Sequence, residues 1–274
     1  MIKIILAIIL SVVLSLGFSG SISAQAAPHN GANLAGAEYG GVETNDQGNI
    51  IHWNHCAVVC NVVGASASIY LPPTTAGPGW ASPWVGIGNG PGFGLAQEGF
   101  NLTNSFGIIT PQAWYAECST KTNPGTTISG NPSAGTCMSV ILPYTVQTND
   151  LVAMLNTNVG HCQWKMALAD YTQHWAWSKT VGNFCMPISA HDAAWVVEGG
   201  NEGLGKLLSW NHMQFNNVRY RLAGQKWQSA NFNNQEAIYS NIYQHNTTMV
   251  KCAIGNAYRN QVDIKWLNPC LYTP

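Results

Sequence analysis

The hydrophobic residues of this chain fall in short runs that glycine, proline and asparagine interrupt. These runs are rich in β-branched and aromatic side chains, and their lengths are typical of strands. From His52 onward, no stretch of about a dozen residues repeats apolar positions at i, i+3, i+4 and i+7, as an amphipathic helix would require. Many short strands separated by turn residues predict one all-β antiparallel sandwich. The clearest runs are Ala67–Leu71, Met138–Leu142, Leu151–Leu155, Trp164–Ala169, Ala193–Val197, Leu207–Gln214 and Val262–Leu267.

The first part of the chain, residues 1–26, has the three regions of a signal peptide. Lys3 supplies a positive charge, an uncharged and mostly apolar run extends from Ile4 to Gly17, and the small-residue site Ala24-Gln25-Ala26 follows. A membrane anchor is the alternative, but the apolar run is shorter than the roughly 20 residues that span a bilayer. We therefore expect cleavage of this segment and secretion of the protein to the extracellular space.

The next segment, residues 27–50, is rich in glycine, asparagine and alanine and shows no apolar period. This composition predicts a flexible leader or a short pro-segment. Residues 51–274 contain no internal repeat and no linker, so we expect them to form a single domain.

Charged residues are scarce in this sequence. They make up 8% of the 274 residues, against roughly 25% in an average soluble domain. The 11 basic and 12 acidic residues are balanced, which argues against a basic nucleic-acid binder. Acid unfolding comes largely from protonating carboxylates that the fold needs charged. A sequence with only 12 acidic residues is therefore expected to tolerate acid. We expect a monomer that binds neither nucleic acid nor, after signal cleavage, a membrane.

All eight cysteines lie after the predicted signal peptide. An even number of cysteines in an exported chain predicts disulfides. The alternative for the first two is a metal site at His52, His55, Cys56 and Cys60, but a disulfide is the more ordinary outcome outside the cell. We predict no metal ion and no cofactor. The simplest pairing joins sequence neighbours: Cys56–Cys60, Cys118–Cys137, Cys162–Cys185 and Cys252–Cys270.

Carboxylates are the main candidates for catalysis, because the sequence lacks the His-Glu-x-x-His and Gly-x-Ser-x-Gly motifs. Glu198 follows the run Ala193–Val197, and strand alternation places it on the face of Ala194 and Val196. Burial there would raise its pKa and suit a general acid or base. The structural alternative is a strand-end glutamate that reaches solvent. The carboxylates in or beside strand-like runs are Glu98, Glu117, Asp170, Glu198 and Asp263.

Four segments give the chain a resemblance to the glutamic peptidases, also called eqolisins. Trp84–Ile87 reproduces the family's Trp-Val-Gly-Ile run, and Gln97–Gly99 is similar to the Gln-x-Gly part of its Leu-Gln-x-Gly run. Ala113–Tyr115 matches an Ala-Trp-Tyr segment. Ala193–Glu198 is similar to the family's Ala-Glu-[Trp/Phe]-Ile-[Val/Ile]-Glu strand. The segments agree in order and rough spacing.

The resemblance implies a jelly-roll-like β-sandwich on which a glutamine and a glutamate form the catalytic pair, here Gln97 and Glu198. Glu198 would activate a water as general base and then protonate the leaving amine. Gln97 would orient that water and donate its amide N–H to the oxyanion. Trp84 and Trp114 would line the substrate cleft, with ordinary core packing as the alternative. The implied activity is an acid-acting, glutamic-type endopeptidase whose substrates are proteins or peptides.

The chain departs from the family pattern at several positions. Gly88 stands where the family usually has an acidic residue, and Gln112 replaces the acidic residue before Ala-Trp-Tyr. Ala194 replaces the first glutamate of the Ala-Glu-[Trp/Phe] motif. These departures leave the Gln97–Glu198 pair in place and bear on substrate preference and on the groups that support the pair.

A non-catalytic carbohydrate-binding module is the alternative function. Such a module would also be a β-sandwich with few charges, many asparagines and exposed tryptophans that stack on sugar rings. Trp164, Trp175, Trp177 and Trp227 could supply that surface.

Overall fold

The chain forms two large antiparallel sheets in a computed structural model. Within the described residues there are twenty strands and no helix, so none of these residues belongs to a helix that could cross a membrane. The all-β prediction is confirmed. The structure describes residues 34–40, 43–44, 50–51, 61–75, 79–88, 93–105, 108–120, 137–182, 192–199, 209–210, 212–230, 232–233, 237–239 and 253–266.

The first sheet has seven strands, and it carries all four of the predicted site residues. Its order, from one edge to the other, is β18 (Ala237–Tyr239), β1 (Leu34–Gly40), β13 (Asp192–Gly199), β6 (Gly79–Gly88), β7 (Phe93–Ser105), β8 (Ile108–Thr120) and β9 (Cys137–Thr145).

The second sheet has nine strands and packs against the first. Its order is β12 (Trp175–Gly182), β11 (Gln163–Asp170), β10 (Leu151–Gly160), β4 (Val62–Tyr70), β15 (His212–Leu222), β20 (Gln261–Trp266), β19 (Ala253–Arg259) and β17 (Phe232–Asn233), and β16 (Gln228–Ser229) pairs with β15. Two small ribbons join β14 (Ser209–Trp210) to β5 (Thr74–Thr75) and β2 (Glu43–Thr44) to β3 (Ile50–Ile51).

Period-two alternation builds the core between the two sheets. On β13, Trp195 is fully buried between Ala193 and Val197, which lie in the same core. Its indole N–H donates to the carbonyl of Ser66 on β4 at 3.1 Å, which ties the two sheets together. We call the side of the seven-stranded sheet that faces this core the inner face, and the opposite side the outer face.

The predicted flexible leader is wrong for residues 34–40, which form β1 inside the seven-stranded sheet. Ala37 and Tyr39 are buried in the core, and the ring of Tyr39 stacks on Tyr220 with centroids 4.1 Å apart. A Cβ at Gly36 would come within 2.2 Å of the Trp195 carbonyl, so glycine is needed for this close approach. The small residues whose composition predicted a leader therefore allow β1 to pack tightly. The predicted signal peptide lies outside the described residues.

Two cysteines of the described part of the chain, Cys118 and Cys162, are disulfide-bonded. Cys118 lies directly opposite Cys137 in the pairing of β8 with β9. Opposed positions of antiparallel strands have Cα separations that a disulfide can bridge, so this register supports the predicted pair of sequence neighbours. Cys56, Cys60, Cys185, Cys252 and Cys270 lie outside the described residues.

Candidate active site

The predicted site residues lie on the outer face of the seven-stranded sheet. Residues that are paired across neighbouring strands share a face of the sheet, and so does every second residue along one strand. By this rule the strand register places four side chains on the same face: Trp84, Gln97, Trp114 and Glu198. An apolar cluster, separate from the main core, covers part of this face. Its members are Trp84, Trp114, Ala116, Ala194 and Val196.

Three rows of paired residues cross the outer face. The row of Gln97 runs Glu38, Ala194, Gly86, Gln97, Ala116 and Ser139. The next row runs Gly36, Val196, Trp84, Gly99, Trp114 and Ile141. In the third row, Glu198 lies between Leu34 and Ser82. Gln97 and Glu198 are therefore two rows apart, with the tryptophans in the row between them.

This register does not bring Gln97 and Glu198 together. The position on β13 that faces Gln97 across Gly86 is Ala194, and Glu198 lies four residues further along the strand. Four residues are about 13 Å along a strand and two strands are about 10 Å across, which separates the two Cα atoms by about 16 Å. The two residues therefore share the outer face two rows apart, and their joint action on one water stays a prediction.

Ala194, and not Glu198, is the β13 residue that faces Gln97 across Gly86. The motif Ala-Glu-[Trp/Phe]-Ile-[Val/Ile]-Glu contains two glutamates, and the pairing of β13 with β6 puts the first of them, not the second, opposite Gln97. In this chain the first position is Ala194. The motif contains both candidate positions, and the strand register shows which of them faces Gln97.

Gln97 is half-buried beside Trp84. A Cβ at Gly86 would lie 2.9 Å from Cζ3 of Trp84 and 3.1 Å from Cβ of Gln97, so the indole lies over the glycine between Gln97 and Ala194. Gln97 Oε1 and Trp84 Nε1 are both buried and have no hydrogen-bond partner among the described residues. A buried amide oxygen without a partner keeps its capacity to accept a hydrogen bond from another molecule.

Trp84 and Trp114 lie on the outer face and are also closely packed. Trp114 Nε1 donates to Ser82 Oγ at 2.9 Å, and Ser82 Oγ donates to the Phe100 carbonyl at 3.2 Å. This chain of hydrogen bonds fixes the indole of Trp114 across β6 and β7. Trp84 and Trp114 are 5% and 7% exposed, so packing is a large part of their role even on the outer face.

Glu98, the neighbour of Gln97, lies on the inner face, as strand alternation predicts. It is wholly buried, and burial raises its pKa well above the usual value of 4.5. Asn156, on the opposite sheet, donates to Glu98 Oε2 at 3.0 Å and to the Ala96 carbonyl at 2.7 Å. Burial therefore favours the protonated form of Glu98, which is a group of the inner face and not of the outer face.

The other predicted carboxylates also lie away from Gln97. Glu117 is buried on the inner face. Asp170 is buried beside Asp150, and burial together with that neighbouring carboxyl raises the pKa of Asp170 to about 6. Asp263 pairs with His212 at the exposed side of the second sheet. No cluster of three or more potential metal ligands occurs in the described part of the chain, and His52, His55, Cys56 and Cys60 lie outside it.

The tryptophans proposed for sugar stacking do not form one exposed surface. Trp164 is 1% exposed and belongs to the core. Trp175 stacks on Tyr144 and Trp177 stacks on Tyr115, with ring centroids 4.7 and 4.8 Å apart, and both pack against the core. Trp227 is half-buried near Arg221. These positions give the carbohydrate-binding alternative no support.

Comparison with known proteins agrees with the fold. The model of the peptidase A4 family matches residues 57–266, and the chain therefore belongs to this family, the glutamic-type endopeptidases or eqolisins. The predicted family and enzyme class are confirmed. No curated protein matches the sequence significantly.

Solved structures of glutamic peptidases share this fold at low sequence identity. Scytalido-glutamic peptidase with a transition-state analog inhibitor is 16% identical, with a TM-score of 0.60 over 86% of this chain and 98% of that one. SCP-B, an eqolisin in complex with the tripeptide Ala-Ile-His, is 15% identical, with a TM-score of 0.53 over the same shares. The jelly-roll-like sandwich expected from the resemblance is thus the observed architecture.

Proposed function

We propose that this chain is an exported endopeptidase that cleaves peptide bonds on the outer face of the seven-stranded sheet at acid pH. The observation that carries the proposal is the position of Gln97. It is presented on the face away from the core, next to the row of Trp84 and Trp114, with a buried amide oxygen that has no partner in the described residues. We infer that the protein acts as a monomer on protein or peptide substrates.

The reaction is hydrolysis by an activated water. A carboxylate accepts a proton from the water, whose oxygen attacks the scissile carbonyl carbon, and the Gln97 amide N–H donates to the developing oxyanion. The carboxyl group then gives its proton to the leaving nitrogen as the C–N bond breaks. The predicted carboxylate is Glu198 on the same face, with its Cα about 16 Å from that of Gln97 by the strand spacings, and its part in this step stays a prediction.

Acid conditions suit the titratable groups of this fold. The buried carboxyls of Glu98 and Asp170 are both easier to hold in the folded state when a proton is bound. These groups therefore favour the folded chain at low pH. Export is supported by the N-terminal sequence and by the disulfide-bonded Cys118 and Cys162.

A digestion assay tests the role of Gln97. The mature protein should cleave a denatured protein substrate at acid pH, and Gln97→Ala should lower kcat by about 10²–10³-fold, the usual effect of losing one oxyanion donor. Gln112→Ala is the matched control, because Gln112 is a half-buried amide of the same face on β8. Equal rates for wild type and Gln97→Ala would remove Gln97 from the mechanism.

Peptide binding without hydrolysis is a second candidate, favoured by Ala194 at the position facing Gln97. A wild-type protein that binds peptides in a calorimetric titration but leaves them intact from about pH 3 to pH 7 would support binding over catalysis.

A further inference from the structure

Asn156, on β10 of the second sheet, contacts β7 on both sides of Gln97. Its amide nitrogen donates to the Ala96 carbonyl at 2.7 Å and to Glu98 Oε2 at 3.0 Å. Asn156 and Glu98 are both 0% exposed. Gln97 lies between the two residues that Asn156 bonds, and its own side chain faces the other way. The contact therefore holds β7 from the inner face at the point where Gln97 is presented on the outer face.

One oxygen of each side chain in this contact has no hydrogen bond. Glu98 Oε1 and Asn156 Oδ1 are buried and have no partner among the described residues. Buried polar atoms without a partner are costly. A carboxylate oxygen and an amide oxygen are both acceptors, so these two atoms cannot bond each other while Glu98 is ionised.

A single proton on Glu98 resolves this conflict. A protonated carboxyl group has one O–H donor and keeps an acceptor oxygen. Glu98 Oε1 can then donate to Asn156 Oδ1 while Glu98 Oε2 still accepts from Asn156 Nδ2. The second N–H of Asn156 remains on the Ala96 carbonyl. The protonated acid and the amide thus complement each other through two hydrogen bonds.

The surroundings of the pair favour the protonated acid. Burial raises the pKa of Glu98 well above 4.5, and the Asn156 hydrogen bond offsets only part of this effect. Lys179 donates to the hydroxyl of Tyr115, the β8 partner of Glu98, at 3.0 Å. The titratable residues of the described part of the chain on the strands around the pair are Tyr115 and Glu117 on β8, Lys179 on β12, Asp170 on β11 and Asp150 just before β10.

We propose that Glu98 and Asn156 form a proton-dependent pair that positions Gln97, so that one proton bound on the inner face helps to keep the outer face active in acid. This inference rests on the proposed function and adds a cause for its pH dependence. When the proton leaves, the buried carboxylate faces the Asn156 oxygen, the two acceptors repel each other, and β7 is no longer held in one place behind Gln97. Glu98 and Asn156 are positioning residues that act through Gln97.

The pH profile of Glu98→Gln tests the pair. Glutamine has the shape of the protonated acid and can both accept from and donate to the Asn156 amide, but it does not ionise. Wild-type kcat on a fluorogenic peptide should fall as pH rises through the pKa of Glu98. Glu98→Gln should be active in acid and keep its kcat to a pH at least about one unit higher, because kcat profiles report groups of the enzyme–substrate complex.

Asp170→Asn is the matched control. It also removes a buried carboxyl with a raised pKa, but Asp170 pairs with Val152, four residues from Asn156 along β10, which is about 13 Å. Its kcat should fall at the same pH as that of wild type. A shift as large as that of Glu98→Gln would show a general effect of buried carboxyls and overturn the proposal.

Asn156→Leu separates positioning from folding. It removes both hydrogen bonds at similar size and should lower kcat in acid by about 10–10²-fold with little change in KM, as a small misplacement of Gln97 would. Far-ultraviolet circular dichroism over the same pH range should show wild type folded where its kcat falls. A fall in kcat that coincides with unfolding would make the pair purely structural and overturn the proposal, even if Asn156→Leu does not fold.

The outcomes distinguish this inference from its premise. An active wild type whose kcat falls at the same pH as that of Glu98→Gln overturns the role of the pair and leaves the proposed function standing. A wild type that cleaves no peptide at any pH overturns both.

Discussion

Adjacent residues on β7 have opposite roles because successive side chains of a strand face opposite sides of the sheet. Gln97 lies on the outer face beside Trp84, while Glu98 is buried in the core and bonded to Asn156. A strand shifted by one residue would exchange them, placing a carboxylate on the site face and an amide in the core. The inter-sheet bond from Asn156 to Glu98 therefore helps to fix which of the two is presented.

The buried Glu98 should make stability depend on pH. Its folded-state pKa lies above the unfolded value of about 4.5, so the folded chain binds more protons above that pH and stability falls as pH rises. Glu98→Gln keeps an acceptor for Asn156 without the ionisation. We measure the unfolding free energy of Glu98→Gln minus that of wild type, by urea unfolding, and expect this difference to be larger at pH 7 than at pH 4. The same difference at both pH values would contradict the burial effect.

The alanine at position 194 offers a gain-of-function experiment. Ala194→Glu places a carboxylate directly across Gly86 from Gln97 and should raise kcat at least about tenfold. Ala194→Gln is the control, since it has the same size without the charge. Equal rates for the two variants would show that a carboxylate at this position does not serve the reaction.

Among the strands, β1 links the sequence before residue 50 to the site. It pairs with β13 from Leu34↔Glu198 to Gly40↔Asp192 and thereby supports the strand that carries Ala194 and Asp192. Its inner residues Ala37 and Tyr39 belong to the main core. The site therefore depends on a segment whose composition alone suggests a leader.

Gly36→Val should disrupt this support. The added Cβ would lie 2.2 Å from the Trp195 carbonyl, so β1 must separate from β13, and we expect a loss of about 3 kcal/mol or more in unfolding free energy. Thr180→Val, at an exposed position of β12, is the control and should stay within about 0.5 kcal/mol of wild type. A Gly36→Val protein as stable as wild type would contradict the packing described for β1.

Sequence pattern predicted the all-β class and strands such as β4, β10, β11 and β13, because alternation such as that of Ala193, Trp195 and Val197 is local information. None of the clearest runs falls in β7 or β8, the longest strands. Strand alternation also separated Gln97 from Glu98 by face. The register between β13, β6 and β7 is not local, however, and it is this register that places Ala194 instead of Glu198 opposite Gln97. The strand β1 escaped prediction because Tyr39 is the one large side chain among its described core residues, and the other core residue is Ala37.

At the scale of the whole molecule, we expect tolerance of acid because the fold needs few carboxylates in their charged form. Asp170, paired with Asp150, has a folded-state pKa of about 6 instead of 3.8, so its contribution to stability is fully present below about pH 4 and is lost as pH rises to about 6. We expect wild type to unfold at higher urea concentration at pH 4 than at pH 7. Asp170→Asn should reduce this difference; loss of the folded circular dichroism signal at pH 3–4 would contradict acid tolerance.

The central claim is that peptide bonds are cleaved at Gln97 on the outer face, and a double-mutant cycle of kcat values with the facing position measures this most directly. Residues that act as a unit are strongly non-additive. We predict that Ala194→Glu, which faces Gln97 across Gly86, raises wild-type kcat at least about tenfold but gives no such gain in the Gln97→Ala background. An equal gain with and without Gln97 would contradict the account.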